Sequence, residues 1–265
     1  MPTIYDGMTR TAQKIVQNEL KVQWTYNSNS IEGNTISEGD TAFIIEYGLT
    51  VKGKSVREHN EVLGHSRAID IIYNYLDKDI LTSQDIFDLH TAIQTNIVID
   101  IECPIGAYKV VENGRYIRMN GKKEFHPYPH PDSVEHLMNI WIEEFSDTKK
   151  QDLTLEELIR KYTRSHIGFT AIHPFFDGNG RVARLLSNIP MLKNGYLPLI
   201  VSTENRDEYI KLLTNYNLKA KNLDEKSLQI IEENEQFEAI CEFFKLEYQN
   251  SQDILDEVKS KICVE

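Results

Sequence analysis

The 265 residues carry 29 Lys and Arg against 41 Asp and Glu, and the resulting net charge of −12 opposes generic binding to nucleic acid through phosphate neutralisation. With 40% apolar and 26% charged residues, the chain can bury a full core and has the balance of a globular protein, with one main domain as the natural expectation. Cys103, Cys241 and Cys263 are too scattered for a disulfide framework or a zinc pattern, and no apolar run reaches the roughly 18 residues of a membrane span.

No basic-then-apolar signal peptide opens the chain. The expectation is a cytoplasmic protein with neither membrane nor nucleic-acid partner; delivery into another cell as an effector would leave no trace in such features. Taken in chain order, apolar spacing predicts helices near 8–32, 38–47, 56–77 and 83–97. Ser55-Val56-Arg57-Glu58 has the form of a capping box, and Thr82-Ser83-Gln84-Asp85 is a weaker variant. Near the end of the first helix, Ser28 and Glu32 stand four apart and so share a face, while Gly33 suits the position just past the helix terminus. Alone, Glu32 reads as a helix-terminal acid in water.

The clear β signal covers 108–125, where Asn113-Gly114 and Asn120-Gly121 both suit tight turns and predict a small hairpin or meander. Three histidines follow on a Pro-rich loop and the next helix, His126, His130 and His136, without the Cys or HExxH companions of a zinc site. Further helices are expected near 132–146, 154–171, 180–194, 204–221 and 235–260, with a capping box at Thr154-Leu155-Glu156-Glu157. Pro190 should kink or break the helix over 180–194, because it lacks the N–H and crowds the carbonyl four residues back. Phe237, Ile240, Cys241, Phe244 and Tyr248, then Ile254, Leu255, Val258 and Ile262, form an apolar stripe. It suits packing on the core and also allows a homo-oligomer. The organisation expected is mainly α: N-terminal helices over 1–50, a core over 51–221 and a helical tail over 222–265.

Chemistry concentrates in His173-Pro174-Phe175-Phe176-Asp177-Gly178-Asn179-Gly180-Arg181-Val182-Ala183-Arg184. Gly178 and Gly180 flank Asn179, so the backbone can take positive φ and present successive N–H groups at a helix start, where anions are favoured. Asp177 is a hard oxygen ligand beside that nest, suited to Mg²⁺ completed by substrate phosphates. Arg181 and Arg184, three apart, project from nearly one face. His173 ends the preceding segment with a near-neutral titrating group, and Phe175 reads as the aromatic that anchors the loop.

This string matches the HPFx[D/N]GNGRxxR signature of the Fic (filamentation induced by cAMP) domain family. The resemblance covers roughly 15–220 and implies a Fic-type helical bundle with a hairpin flap near 108–126. It implies AMP transfer from ATP to a Ser, Thr or Tyr hydroxyl of a protein, including the enzyme itself, with pyrophosphate released. His173 would be the general base and Asp177 the Mg²⁺ ligand. Gly178, Asn179, Gly180, Arg181 and Arg184 would bind the phosphates, and Tyr209 and Asn217 would line the adenine pocket. The flap edge that pairs with the target falls on Tyr116, Ile117, Arg118 and Met119, and Lys109 stands where many members carry Arg. Ser28-Asn29-Ser30-Ile31-Glu32-Gly33 resembles the family's inhibitory Ser-x-x-x-Glu-Gly, with Glu32 expected on Arg184 in place of the γ-phosphate. Two rival readings are a hydrolase that removes AMP from protein by means of Glu32, alone or alongside transfer, and a non-catalytic regulatory module. The intact His173 and Asp177 argue against the second.

Overall fold

The computed structural model describes residues 7–94, 101–119, 122–147, 149 and 152–262. The first helix, α1 (Arg10–Ile31), starts where Thr9 accepts the Ala12 N–H and ends before Gly33, whose φ of 97° is open to glycine. Two more follow, α2 (Glu38–Tyr47) and α3 (Val56–Tyr75), the second opened by the Ser55/Glu58 capping box. The variant at Thr82 and Asp85 proves to be a full box too, and it opens α4 (Ser83–Ile93). A hairpin of β1 (Gly114–Met119) and β2 (Lys122–Pro127) comes next, then α5 (Pro131–Phe145) and α6 (Leu155–Ile172), which begins at the Thr154/Glu157 box.

Past the motif, α7 (Asn179–Leu186) is short, and α8 (Ile189–Lys193) restarts with Pro190 in its first turn. Pro190 therefore divides the helix expected over 180–194, for the reason given above. A 3-10 turn, Thr203–Asn205, leads into α9 (Arg206–Lys219), and α10 (Glu235–Ile262) closes the fold. No helix among the described residues is long and apolar enough to cross a membrane.

One apolar core runs through the bundle, joining Leu20 and Trp24 of α1 to Leu137 and Trp141 of α5, Phe169 and Ile172 of α6 and Phe244 of α10. Each such side chain contributes about 1.5–3 kcal/mol on burial. The stripe of α10 is spent here: Phe237, Ile240, Phe244 and Tyr248 are buried, and the helix packs on α1, α6 and α9. The tail thus takes the first of the two arrangements its stripe allowed.

The β segment is a single hairpin, with Met119 paired to Lys122 across Asn120-Gly121, two residues outside the described set. Asn113-Gly114 makes no hairpin turn. The Asn113 side chain instead donates to the carbonyls of Phe175 and Phe176, and the Asn113 main-chain carbonyl accepts the Tyr128 N–H. Gly114 opens β1 because a Cβ there would lie 2.5 Å from both the His126 carbonyl and the Phe125 ring. A long-range tether and a close crossing, not a local turn, decide the residue types at Asn113 and Gly114.

Candidate active site

The motif loop bridges α6 and α7, and its own side chains hold it in shape. His173 caps α6 with φ 52° and ψ 59°, the left-handed region that a non-glycine residue enters at a cost. Two residues on, Phe175 is fully buried and lies face to face with His90 of α4, centroids 3.8 Å apart. His90 takes the Gly106 N–H at Nδ1, so its Nε2 carries the proton and donates to the Asp177 carbonyl at 3.1 Å. The Asn179 side chain closes the loop on itself, accepting from Phe175 N–H and donating to Phe175 C=O, both at 2.8 Å. It therefore offers an anion its main-chain N–H alone.

The two glycines turn out to serve different ends. Gly178 has φ 81° and is the residue before the first turn of α7, as the nest requires. Gly180 takes ordinary helical geometry; a Cβ there would lie 2.6 Å from Glu32 Oε1 and 3.1 Å from Arg184 Nη1. Positive φ at both glycines is thus corrected: the second is small so that a carboxylate can reach the arginine. Asp177 accepts the Gly178 N–H at 2.7 Å and stands 3.6 Å from Arg181, and despite the carboxylate's partial burial Arg181 holds it below its ordinary pKa. It keeps 54% of its side-chain surface in solvent. Arg181 is 3% exposed, and its Nε has no partner among the described residues. A buried guanidinium with an idle N–H is a seat for an anion.

His173 stacks on Tyr128, the centroids 3.7 Å apart and the planes within 3°. Packing and the nearby Lys109 ammonium lower its pKa against the opposing pull of the Thr170 carbonyl and Asp177, so the ring is neutral at physiological pH. Lys109 is itself buried and depressed to about 8 by loss of water. It is tied to Asn113 through Nζ at 2.7 Å and to the Pro174 carbonyl through its N–H at 2.9 Å. Lys109, Asn113 and Tyr128 thus strap the hairpin base to the motif, a function that sequence spacing alone did not reveal. A proline-rich loop and an Asn-Gly pair were the visible signals, and both pointed to turns.

Arg184 is buried as deeply as Arg181, 3% exposed. Its Nη2 donates to Glu32 Oε1 at 2.7 Å and to the Ser28 carbonyl at 2.9 Å, its Nε to Ser28 Oγ at 3.0 Å and its Nη1 to the Tyr209 hydroxyl at 3.3 Å. Ser28 and Glu32 therefore meet one guanidinium from one face of α1, and Gly33 ends the helix there. Behind the arginine, Tyr209 bonds Nε2 of His166 at 2.8 Å, and burial pushes that imidazole down to about 3. Tyr209 is enclosed, whereas Asn217, two turns further along α9, lines an open cavity of about 450 Å³ with Tyr128, Arg115 and His126. Two residues read as neighbours of one adenine thus face different surroundings. On the hairpin, Tyr116, Ile117, Arg118 and Met119 lie together in β1.

The end of α1 has further ties that span most of the sequence. Arg206 Nε donates to the Ile31 carbonyl at 2.7 Å, and Thr203 N–H donates to the Asn27 side chain at 2.9 Å. The same 3-10 turn is held from α10 by Glu247, a 1%-exposed carboxylate that accepts from Ser202 N–H and Asn205, its pKa raised by burial.

Residues 80–191, a span that includes this loop and α7, match the family model of the Fic/DOC family. The chain contains a Fic/DOC family domain. It is 34% identical over 202 residues to protein adenylyltransferase Fic of Nematostella vectensis, covering 75% of this chain and 44% of that protein. Against protein adenylyltransferase fic-1 of Caenorhabditis elegans the identity is 33% over 213 residues, 78% of this chain and 39% of the relative. The chain thus spans about two-fifths of the length of these curated relatives. Among solved structures, a Fic domain containing signaling protein from Bacteroides thetaiotaomicron superposes with a TM-score of 0.80 at 22% identity, covering 96% of this chain and 92% of that one. Fic-1 (residues 134 to 508) from Caenorhabditis elegans gives 0.71 at 26% identity, with 98% and 69% covered. The fold is therefore the Fic-type helical bundle.

Proposed function

We propose that this Fic chain is an autoinhibited protein adenylyltransferase that moves AMP from ATP to a Ser, Thr or Tyr hydroxyl on a protein. The observation that carries the reading is the Glu32–Arg184 pair at 2.7 Å: an acid from α1 plugs a buried arginine corner at the edge of an otherwise complete anion cradle. The names of the relatives given above support the reaction class.

In this scheme the α- and β-phosphates rest on the N–H groups at Gly178, Asn179 and Gly180 and on the unpartnered Nε of Arg181, and the base enters the cavity beside Asn217. Neutral His173 accepts the hydroxyl proton as that oxygen attacks the α-phosphorus, the bond to the β-phosphate oxygen breaks and pyrophosphate leaves. Arg184 takes the γ-phosphate once Glu32 withdraws; until then the triphosphate lies out of line, and misplacement of about 1 Å costs on the order of 10²-fold. Asp177 fits Mg²⁺ only as one oxygen of a shared shell, because no group of three or more His, Cys, Asp or Glu able to hold a metal lies among the described residues. When bound with ATP, Mg²⁺ would neutralise charge gathering on pyrophosphate.

A second activity has its own support. Glu32 engages Arg184 through Oε1 yet keeps 41% of its side-chain surface in solvent, a placement from which it could orient a water to hydrolyse AMP from modified protein. Purified wild type, Glu32→Gly and His173→Ala, each given labelled ATP and separately a pre-adenylylated target, separate the schemes. Transfer should rise in Glu32→Gly and vanish in His173→Ala. Loss of AMP removal in Glu32→Gly would assign the hydrolase to that carboxylate, and a relieved variant that binds Mg·ATP yet labels nothing would end the transferase reading.

A further inference from the structure

We propose that the hairpin selects acidic segments, so that the accepting hydroxyl lies in a stretch of the target rich in Asp or Glu. The inference rests on the reading of β1 as the docking edge and adds the chemistry of what docks. Its starting point is a contrast of sign. In a chain with 41 acids and 29 bases, positions 114–127 hold four Lys or Arg and a single Glu.

Register places those charges. Arg115 and His126 are paired and line the cavity of about 450 Å³ beside Tyr128, so they belong to the inner surface of the hairpin. The opposite face carries Tyr116 paired with Phe125 and, two residues back along β2, Lys123, whose register partner in β1 is Arg118. Tyr116 is 63% and Phe125 49% exposed, and Lys123 lies over the Tyr116 ring at 4.3 Å. Like charges directly opposite one another destabilise a two-stranded sheet, and an outward aromatic pair gains nothing from the core. A hairpin that only covered the bundle would use neither. Charged residues also discourage edge strands from pairing with other copies, but either sign serves that end; the choice of bases in an acidic chain needs its own account.

An acidic strand supplies one. It would pair main chain to main chain with the edge, lay apolar groups on Tyr116 and Phe125, and set carboxylates against Lys123 and the neighbouring positive charge of the hairpin tip. Extended polyanions fit less well, because nucleic acid or an anionic bilayer would meet the negative remainder of the protein as well as the hairpin.

The test uses the full chain carrying His173→Ala, which retains the hairpin, and two labelled twelve-residue peptides with a central Thr, flanked by Asp and Glu or by Asn and Gln. Anisotropy at low salt should show the acidic peptide bound about tenfold tighter, the margin shrinking as salt shortens the range of the charges. K122E/K123E should erase or invert the preference and K122Q/K123Q should reduce it, with unchanged thermal midpoints showing that both fold. In the Glu32→Gly chain the same margin should appear in kcat/KM for AMP transfer, carried by KM. Equal affinity for the two peptides in the unaltered hairpin overturns the inference, as does tighter binding of anionic vesicles or an oligonucleotide through the same lysines. A peptide preference without AMP transfer would sustain the inference and break the transferase reading; transfer to both peptides alike would do the reverse.

Discussion

Along α1, Val16, Leu20 and Trp24 are enclosed by apolar side chains, whereas Asn27, Ser28, Asn29 and Glu32 meet hydrogen-bonding partners on α3, α7 and the 3-10 turn. The two stretches are neighbours on one helix and equally out of solvent, Glu32 apart. Apolar burial is non-directional and lost only by leaving the core, while each hydrogen bond adds a net of about 1 kcal/mol and can be exchanged for water. Under the proposed scheme the first half is an anchor and the second a latch, which would open by fraying of its last turns while the rest of the helix stays docked.

Leu20→Ala attacks the anchor and should cost about 2–5 kcal/mol in urea unfolding, the range for a leucine in a closed core. A cost under about 1 kcal/mol would show that this half is no better held than the other. Glu32→Gly attacks the latch and should do the opposite, raising AMP transfer about 10²-fold with a smaller loss of stability than Leu20→Ala, since Arg184 keeps its bonds to Ser28 and Tyr209. Parallel changes in both quantities would abolish the distinction.

Acid probes the layer behind the latch. Burial is the first cause holding His65, His90 and His166 below the ordinary imidazole value, and Arg184 adds to it at His65 and His166. The unfolded chain binds protons at these positions once pH drops below about 6.5 and the folded chain does not, so stability should fall with pH. The loss is about 1.4 kcal/mol per pH unit for each histidine, continuing down to folded values of about 4 and 3 at His90 and His166. Chemical unfolding at pH 7, 6 and 5 reads it directly; a flat profile would mean that these rings find protons or water in the native state. Smallest is Arg206→Ala, which frees the Ile31 carbonyl at about 1 kcal/mol and should raise transfer by about fivefold, well short of Glu32→Gly.

What the sequence disclosed was local. Capping boxes at Ser55 and Thr154 depend on residues three apart, the break at Pro190 on the ring itself, and the shared face of Ser28 and Glu32 on helical pitch. Each was legible because cause and effect lie within a turn or two. The tether from Asn113 to the motif, the cap of Arg206 on α1 and the grip of Glu247 on the 3-10 turn join positions 42 to 175 residues apart, and no spacing rule reaches them. Gly180 shows the middle case: its identity was visible, but its reason lay in a carboxylate contributed from another helix.

The Asn179 side chain, spent on both polar groups of Phe175, has a consequence for nucleotide preference. A loop stitched in this way is rigid before any ligand arrives, so its ordering cost is settled at folding and falls equally on every nucleotide. Under the proposed scheme, discrimination by phosphate length then rests with the Arg184 corner. A nucleoside diphosphate, too short to reach that corner, would bind with or without Glu32 in place, and only the longer cosubstrate would register whether the acid is there.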